Sequence, residues 1–194
     1  SMKIQNPSIK DFKELFLNKI TNDYSSDKIN SFFIKNKIKY KYRICLHIRR
    51  SSKEIIKLAN NLNFHSKKIN KDIHFILLGS SEHDEINLEL INFKYTSLID
   101  SYKKGFKTID ILNFIQNCNF YIGGRGGFEL FSWYSSIPTL NFFDDRGFRE
   151  INNNSFPIKI IRENRFKDSL VDRDNFMIDE LSNSLIKFIN NDKI

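Results

Sequence analysis

The sequence predicts an α/β fold: a single doubly wound, Rossmann-like domain with a five- or six-stranded parallel sheet and helices on both faces. Three observations carry this. Short runs such as Ile73–Leu78 are apolar throughout rather than at alternate positions, as in a strand covered on both sides. Segments of helical periodicity separate these runs and supply the crossovers that parallel strands require. No Pro/Gly/Ser-rich linker and no internal repeat divides the 194 residues, a length that one core can serve.

Each element has its own signal. Ile9, Phe12, Leu15, Phe16 and Ile20 share one face of a first helix, and Asp27–Ile34 makes a second. Residues 1–40 therefore read as an N-terminal helical extension and 41–194 as the Rossmann-like domain. Tyr42–Ile48 is the first strand, and Ser51 and Ser52 cap an amphipathic helix over Lys53–Leu62. The strand Ile73–Leu78 closes on Gly79-Ser80-Ser81. Glu82–Ile91 reads as a helix whose early acids face the positive end of its dipole. Thr96–Ile99 is a short strand, Thr108–Asn117 a helix, Phe120–Ile122 a strand and Phe128–Ser135 a helix. Pro138–Phe143 and Ile158–Ile161 add two strands, with the irregular stretch Phe143–Phe156 read as a mobile loop. Asn175–Ile189 closes the fold as a helix with Ile178, Leu181, Leu185 and Ile189 on one face.

Composition narrows the function. With 40% hydrophobic and 28% charged residues the chain is neither disordered nor fibrous. Its apolar runs fall far short of the roughly 20 residues of a membrane span. No secretory leader is visible at the start, which predicts a cytoplasmic protein, at most peripheral to the membrane. The net charge of +8 points to anionic partners: nucleotides, nucleic acid or a phospholipid surface. Lys supplies 22 of the 31 cations, and Lys, Ile and Asn fill 74 of the 194 positions while Ala and Val occur once each. Such residues come from A/T-rich codons, so part of the basic excess is compositional. Cys45 and Cys118 lack a CxxC partner and read as buried free thiols in a reducing compartment; no metal site is predicted.

Ligands of open parallel sheets bind outside the carboxyl ends of the strands, near the point where strand order reverses. Four of the seven glycines fall in Gly123-Gly124-Arg125-Gly126-Gly127, between a strand and a helix. Glycines let backbone approach a ligand, and a helix start offers unpaired N–H groups that suit phosphate. Arg125 adds a charged fork. The pattern is neither GxGxxG nor GxxxxGK[ST], which disfavours a dinucleotide fingerprint and a P-loop kinase. His47-Ile-Arg-Arg50 ends the first strand with two arginines suited to bidentate phosphate recognition. Ser80 and Ser81 bring hydroxyls to a third strand end. Glu129 either holds ribose hydroxyls or complements the helix dipole, and both readings stand. His83 with Asp84 and Glu85 has no second ligand group at a useful spacing. Asp144, Asp145, Arg146 and Arg149 place further polar groups on the loop.

Taken together, His47–Arg50, Ile76–Glu82 and the run Asn119–Asn141 resemble the donor-binding half of a GT-B glycosyltransferase. HIRR is similar to the HxRR element of its fucosyltransferase-like members, with Ser51-Ser52 where those carry an acid. The resemblance implies that Arg49 and Arg50 act on the donor diphosphate together with the amides of Gly124–Gly127. It likewise implies that Glu129 holds ribose or sugar and that Ser80–Glu82 line the base pocket. Ser80, Ser81, Gly123, Gly124, Arg125, Gly126, Gly127 and Glu129 are then the binding set. The donor would be a nucleotide-diphosphate sugar, the acceptor a glycan or lipid-linked molecule as in polysaccharide biosynthesis. No metal or other cofactor is implied, since arginines and a helix dipole can stabilise the departing diphosphate. GT-B enzymes carry two Rossmann-like domains, so a partner chain supplying an acceptor domain is implied too. The rival class is a non-catalytic basic module that binds nucleic acid or an anionic membrane through Lys35–Lys41 and Lys67–Lys71. Nucleic acid is disfavoured, because no aromatic-interleaved basic strand is present.

Overall fold

The computed structural model describes residues 27–38, 41–49, 52–81, 88–124, 126–135, 137–143 and 164–192. Six strands form one sheet: β1 (Tyr42–Ile48), β2 (Ile73–Gly79), β3 (Tyr95–Ile99), β4 (Phe120–Gly124), β5 (Thr139–Phe143) and β6 (Leu170–Asp172). All neighbours pair in parallel, in the order β3-β2-β1-β4-β5-β6. Helices α1 (Asp27–Lys35), α2 (Ser52–Ser66), α3 (Thr108–Gln116), α4 (Gly127–Tyr134) and α5 (Ile178–Asn191) cover it. The doubly wound Rossmann-like architecture is therefore present, with six strands.

Strand alternation divides the core in two. Tyr42, Ile44, Leu46 and Ile48 of β1 lie in one apolar cluster with Ile55, Leu58 and Leu62 of α2 and Leu185 and Ile189 of α5. Cys45 belongs to the opposite cluster, with Phe33 of α1, Ile115 of α3 and Phe131 of α4. Strands buried on both sides need apolar residues at successive positions, which is why these runs do not alternate. Through Ile29 and Phe33, α1 packs into the second cluster, so the described part of residues 1–40 covers the sheet. Cys45 and Cys118 are buried and free, and the Cys118 thiol donates to the Phe114 carbonyl.

Local chemistry sets the ends of α2 and α5. Beyond α2 a 3-10 turn over Lys67–Ile69 ends at Asn70, whose left-handed φ of 57° stops the helix. Lys71 then reaches the carbonyls of Ile189 and Asp192 at 2.6 and 2.9 Å and satisfies the open C-terminus of α5. Asp192 also accepts from the Tyr42 hydroxyl at 2.9 Å, which binds the last helix to the first strand.

Several elements differ from the sequence-based expectation. The short β6 was not anticipated; it is held through Asn141 N–H to Ser169 O and Arg173 N–H to Phe143 O, each 2.8 Å. The strand β4 runs two residues into the glycine cluster. Of the helix expected over Glu82–Ile91, residues 82–87 lie outside the described residues, and Leu88–Leu90 forms a 3-10 turn. The helix expected at Ile9–Ile20, the strand at Ile158–Ile161 and the loop after Phe143 also lie outside them.

Candidate functional site

Strand order locates the crevice. The chain steps from β1 to β2 to β3, then returns to the other side of β1 for β4, so winding reverses between β1 and β4. Parallel register sets Cys45 beside Tyr121 and His47 beside Gly123. The HIRR end of β1 and the glycine end of β4 therefore leave the sheet side by side, at the position where doubly wound sheets bind ligands. A Cβ built on Gly126 would lie 3.6 Å from Arg49 Nη1 and 3.8 Å from His47 Cε1.

Beside this pair a cavity of about 280 Å³ opens over the ends of β1, β2 and β3. His47, Arg49 and Ser80 bring polar groups to it, and Tyr102, Phe106 and Phe128 bring aromatic surface. Its other walls include the aliphatic side chains of Leu78 and Leu98. A guanidinium at one end of an aromatic-lined slot suits an anion joined to a flat or apolar group.

The glycines of the turn have different reasons to be glycine. A Cβ on Gly123 would sit 2.6 Å from the Tyr121 hydroxyl oxygen and 2.8 Å from its ring, so this residue is small for packing. Gly126 has extended backbone, φ 165°, and room for a methyl; what a side chain there would meet is Arg49 and His47. Nothing lies within 4 Å of a Cβ on Gly127, the first residue of α4. The N–H of Gly126 donates to Glu129 Oε2 at 3.0 Å, and Glu129 is only 1% exposed. Of its two sequence readings, the structure displays Glu129 folded back to cap α4.

The serines diverge. Ser80 lines the cavity, whereas Ser81 donates its N–H and its hydroxyl to the Asp100 carboxylate at 2.9 and 2.5 Å. Those bonds hold the Asp100 carboxyl below the usual range, with a smaller push from Lys103, and latch the turn after β2 to the turn after β3.

His47 is 5% exposed and meets the Tyr121 hydroxyl through Nδ1 at 3.0 Å, with Phe128 edge-on at 5.2 Å. Burial, with Cys45 and Glu129 nearby, pushes the Tyr121 phenol well above its ordinary pKa, so it is protonated throughout the physiological range.

Arg49, Ser80, Gly123, Gly124, Gly126, Gly127 and Glu129 thus gather at or beside the reversal point. Arg50, Arg125, residues 82–85 and residues 144–149 lie outside the described residues. Sequence reasoning missed Tyr121, which looks like core filling, and the segment Ser101–Thr108, which lines the far wall. The signal for the latter was modest: a Tyr and a Phe around Lys-Lys-Gly directly after a strand end.

No protein-family model matches this chain, and no curated protein is similar to it in sequence. Among the described residues no group of three or more His, Cys, Asp or Glu is placed to hold a metal ion, and no helix is long and apolar enough to cross a membrane.

Proposed function

We propose that the chain binds a nucleotide-diphosphate sugar and serves as the donor half of a glycosyltransferase that delivers the sugar to a glycan or lipid-linked acceptor. The observation that carries this reading is the approach of Arg49 to Gly126 at the reversal point, with an aromatic-lined cavity alongside. The diphosphate would lie against Arg49 and the start of α4, where the helix dipole and forked guanidinium donors favour negative charge. The nucleoside would occupy the cavity, between Ser80 and the rings of Tyr102 and Phe106. As the sugar–oxygen bond breaks, charge gathers on the diphosphate, and Arg49 stabilises it there. By their place in sequence, Arg50 and Arg125 would add to that cationic set. The sugar would face the acceptor, whose own binding surface a second domain or partner chain supplies.

Calorimetry with UDP, GDP, CMP and their sugars tests this. One base should bind well below millimolar, the level at which affinity is only about 4 kcal/mol. Failure of every nucleotide to bind more tightly than that refutes the reading.

A further inference from the structure

Buried behind the crevice are two rings whose contact has a chemical consequence. Tyr121 is fully buried, and the hydrogen-bond partner of its hydroxyl among the described residues is His47 Nδ1, at 3.0 Å. A phenol proton without an acceptor inside a protein carries the full cost of its desolvation, so the hydroxyl donates and Nδ1 accepts. An imidazole nitrogen that accepts cannot carry the proton, which leaves Nε2 as the protonated nitrogen of the neutral ring. Nε2 is bonded to Cε1, and Cε1 is the atom that a Gly126 side chain would meet at 3.8 Å, on the side of the ring that also meets the cavity.

We infer that Tyr121 is a positioning residue that fixes His47 as its Nε2–H tautomer, so that the imidazole supplies a hydrogen-bond donor beside Arg49 for an anionic group bound at the glycine turn. The inference rests on the proposed diphosphate site for its ligand, but its first step is a property of the protein alone.

Gly123 fits the same device. Its Cβ would stand 2.6 Å from the Tyr121 oxygen, so only glycine lets that hydroxyl reach β1. The β1–β4 register seats Gly123 opposite His47 and Tyr121 opposite Cys45, which holds both rings on one face of the sheet. An accepting Nδ1 also explains the choice of Tyr over Phe inside an apolar cluster, where an unbonded hydroxyl would be a liability.

The test reads tautomer and affinity separately. Nitrogen-15 shifts of His47 in the ligand-free protein should show a protonated Nε2 and a bare Nδ1. Tyr121→Phe, which keeps the ring, should mix the tautomers and weaken inorganic pyrophosphate and UDP by about tenfold, the value of one hydrogen bond to a charged group. His47→Gln, whose amide nitrogen stands near the Nε2 position, should retain most of the affinity, and His47→Asn should lose it. Should Tyr121→Phe fail to fold, the wild-type shifts and this pair of His47 variants carry the test. Wild type that binds neither probe overturns the diphosphate site itself. Wild type that binds them with a proton on Nδ1, Tyr121→Phe that keeps both tautomer and affinity, or His47→Asn that binds as well as His47→Gln overturns the inference alone.

Discussion

Alanine at Gly126 separates a glycine kept for packing from one kept for a ligand. The backbone there is extended, φ 165°, a conformation alanine adopts without strain. The added methyl would lie 3.6 Å from Arg49 Nη1 and 3.8 Å from His47 Cε1, ordinary van der Waals contact. Two small terms then oppose each other in stability. Alanine lowers the entropy of the unfolded chain, worth about 0.4–1 kcal/mol. It is also a poorer helix N-cap than glycine, by a similar amount. The variant should therefore melt close to wild type. Binding is another matter. A phosphate oxygen on Arg49 sits about 2.8 Å from the guanidinium nitrogen. The methyl fills the approach to that nitrogen from the turn, so one charge-assisted hydrogen bond is lost. That costs about 1.5–3 kcal/mol, or roughly ten- to 150-fold in Kd for UDP or GDP by calorimetry. Gly123→Ala is the contrast: its methyl meets a buried ring at 2.6–2.8 Å, and overpacking of that kind costs about 1–3 kcal/mol in urea denaturation. Gly126→Ala with wild-type affinity would show that the turn does not hold the ligand. A loss of stability equal to that of Gly123→Ala would show that both glycines serve packing.

Arg49→Ala should weaken UDP by about ten- to a hundredfold while uridine changes little, with Arg49→Lys between because it lacks the planar fork; equal losses for nucleotide and nucleoside refute a diphosphate role. Acid should expose a second buried histidine. His74, bonded through Nε2 to the Thr96 hydroxyl at 2.9 Å, has its pKa lowered to about 4 by burial first and by Lys41 second. The unfolded chain takes up that proton near pH 6.5 and the native one near 4, so the contribution of neutral His74 is full above pH 6.5 and is lost as pH falls toward 4. The urea midpoint should drop between pH 7.5 and 4.5, and His74→Gln should flatten that drop; identical pH profiles for the two proteins refute the assignment.

What was legible in the sequence follows from what packs locally. The strands β1, β2, β4 and β5 announce themselves because both of their faces are covered, and Ile73–Leu78 has no polar position to hide the signal except His74. The glycine turn and HIRR were legible as strand ends, since Gly and Arg clusters stand out in a chain poor in both. The strand β6 was not, because three residues ending in Asp172 carry no pattern, and its place depends on bonds to Ser169 and Arg173 that only β5 supplies. Ser81 looked equivalent to Ser80, yet it is turned toward Asp100, a contact that needs the β2–β3 pairing. Tyr121 was read as core for the same reason. Its hydroxyl finds His47 across 74 positions of chain, through a register that hydrophobicity alone does not reveal.

That register also explains why a polar crevice costs the core so little. Along β1 the residues facing α2 and α5 stay apolar to the last, Tyr42, Ile44, Leu46 and Ile48. The intervening positions climb in polarity toward the strand end, from buried Cys45 through His47 at 5% exposure to Arg49 on the cavity wall. A slip of one residue against β4 would put Arg49 on the side of α2 and expel four apolar side chains from the opposite core, so the core enforces the alignment of the site. Residues that end this polar series contribute little to the packing that holds the sheet. Substitutions at Arg49 and Gly126 should therefore change what the crevice binds while leaving the unfolding transition where it is, whereas Tyr121 and Gly123, one step deeper on the neighbouring strand, report on both.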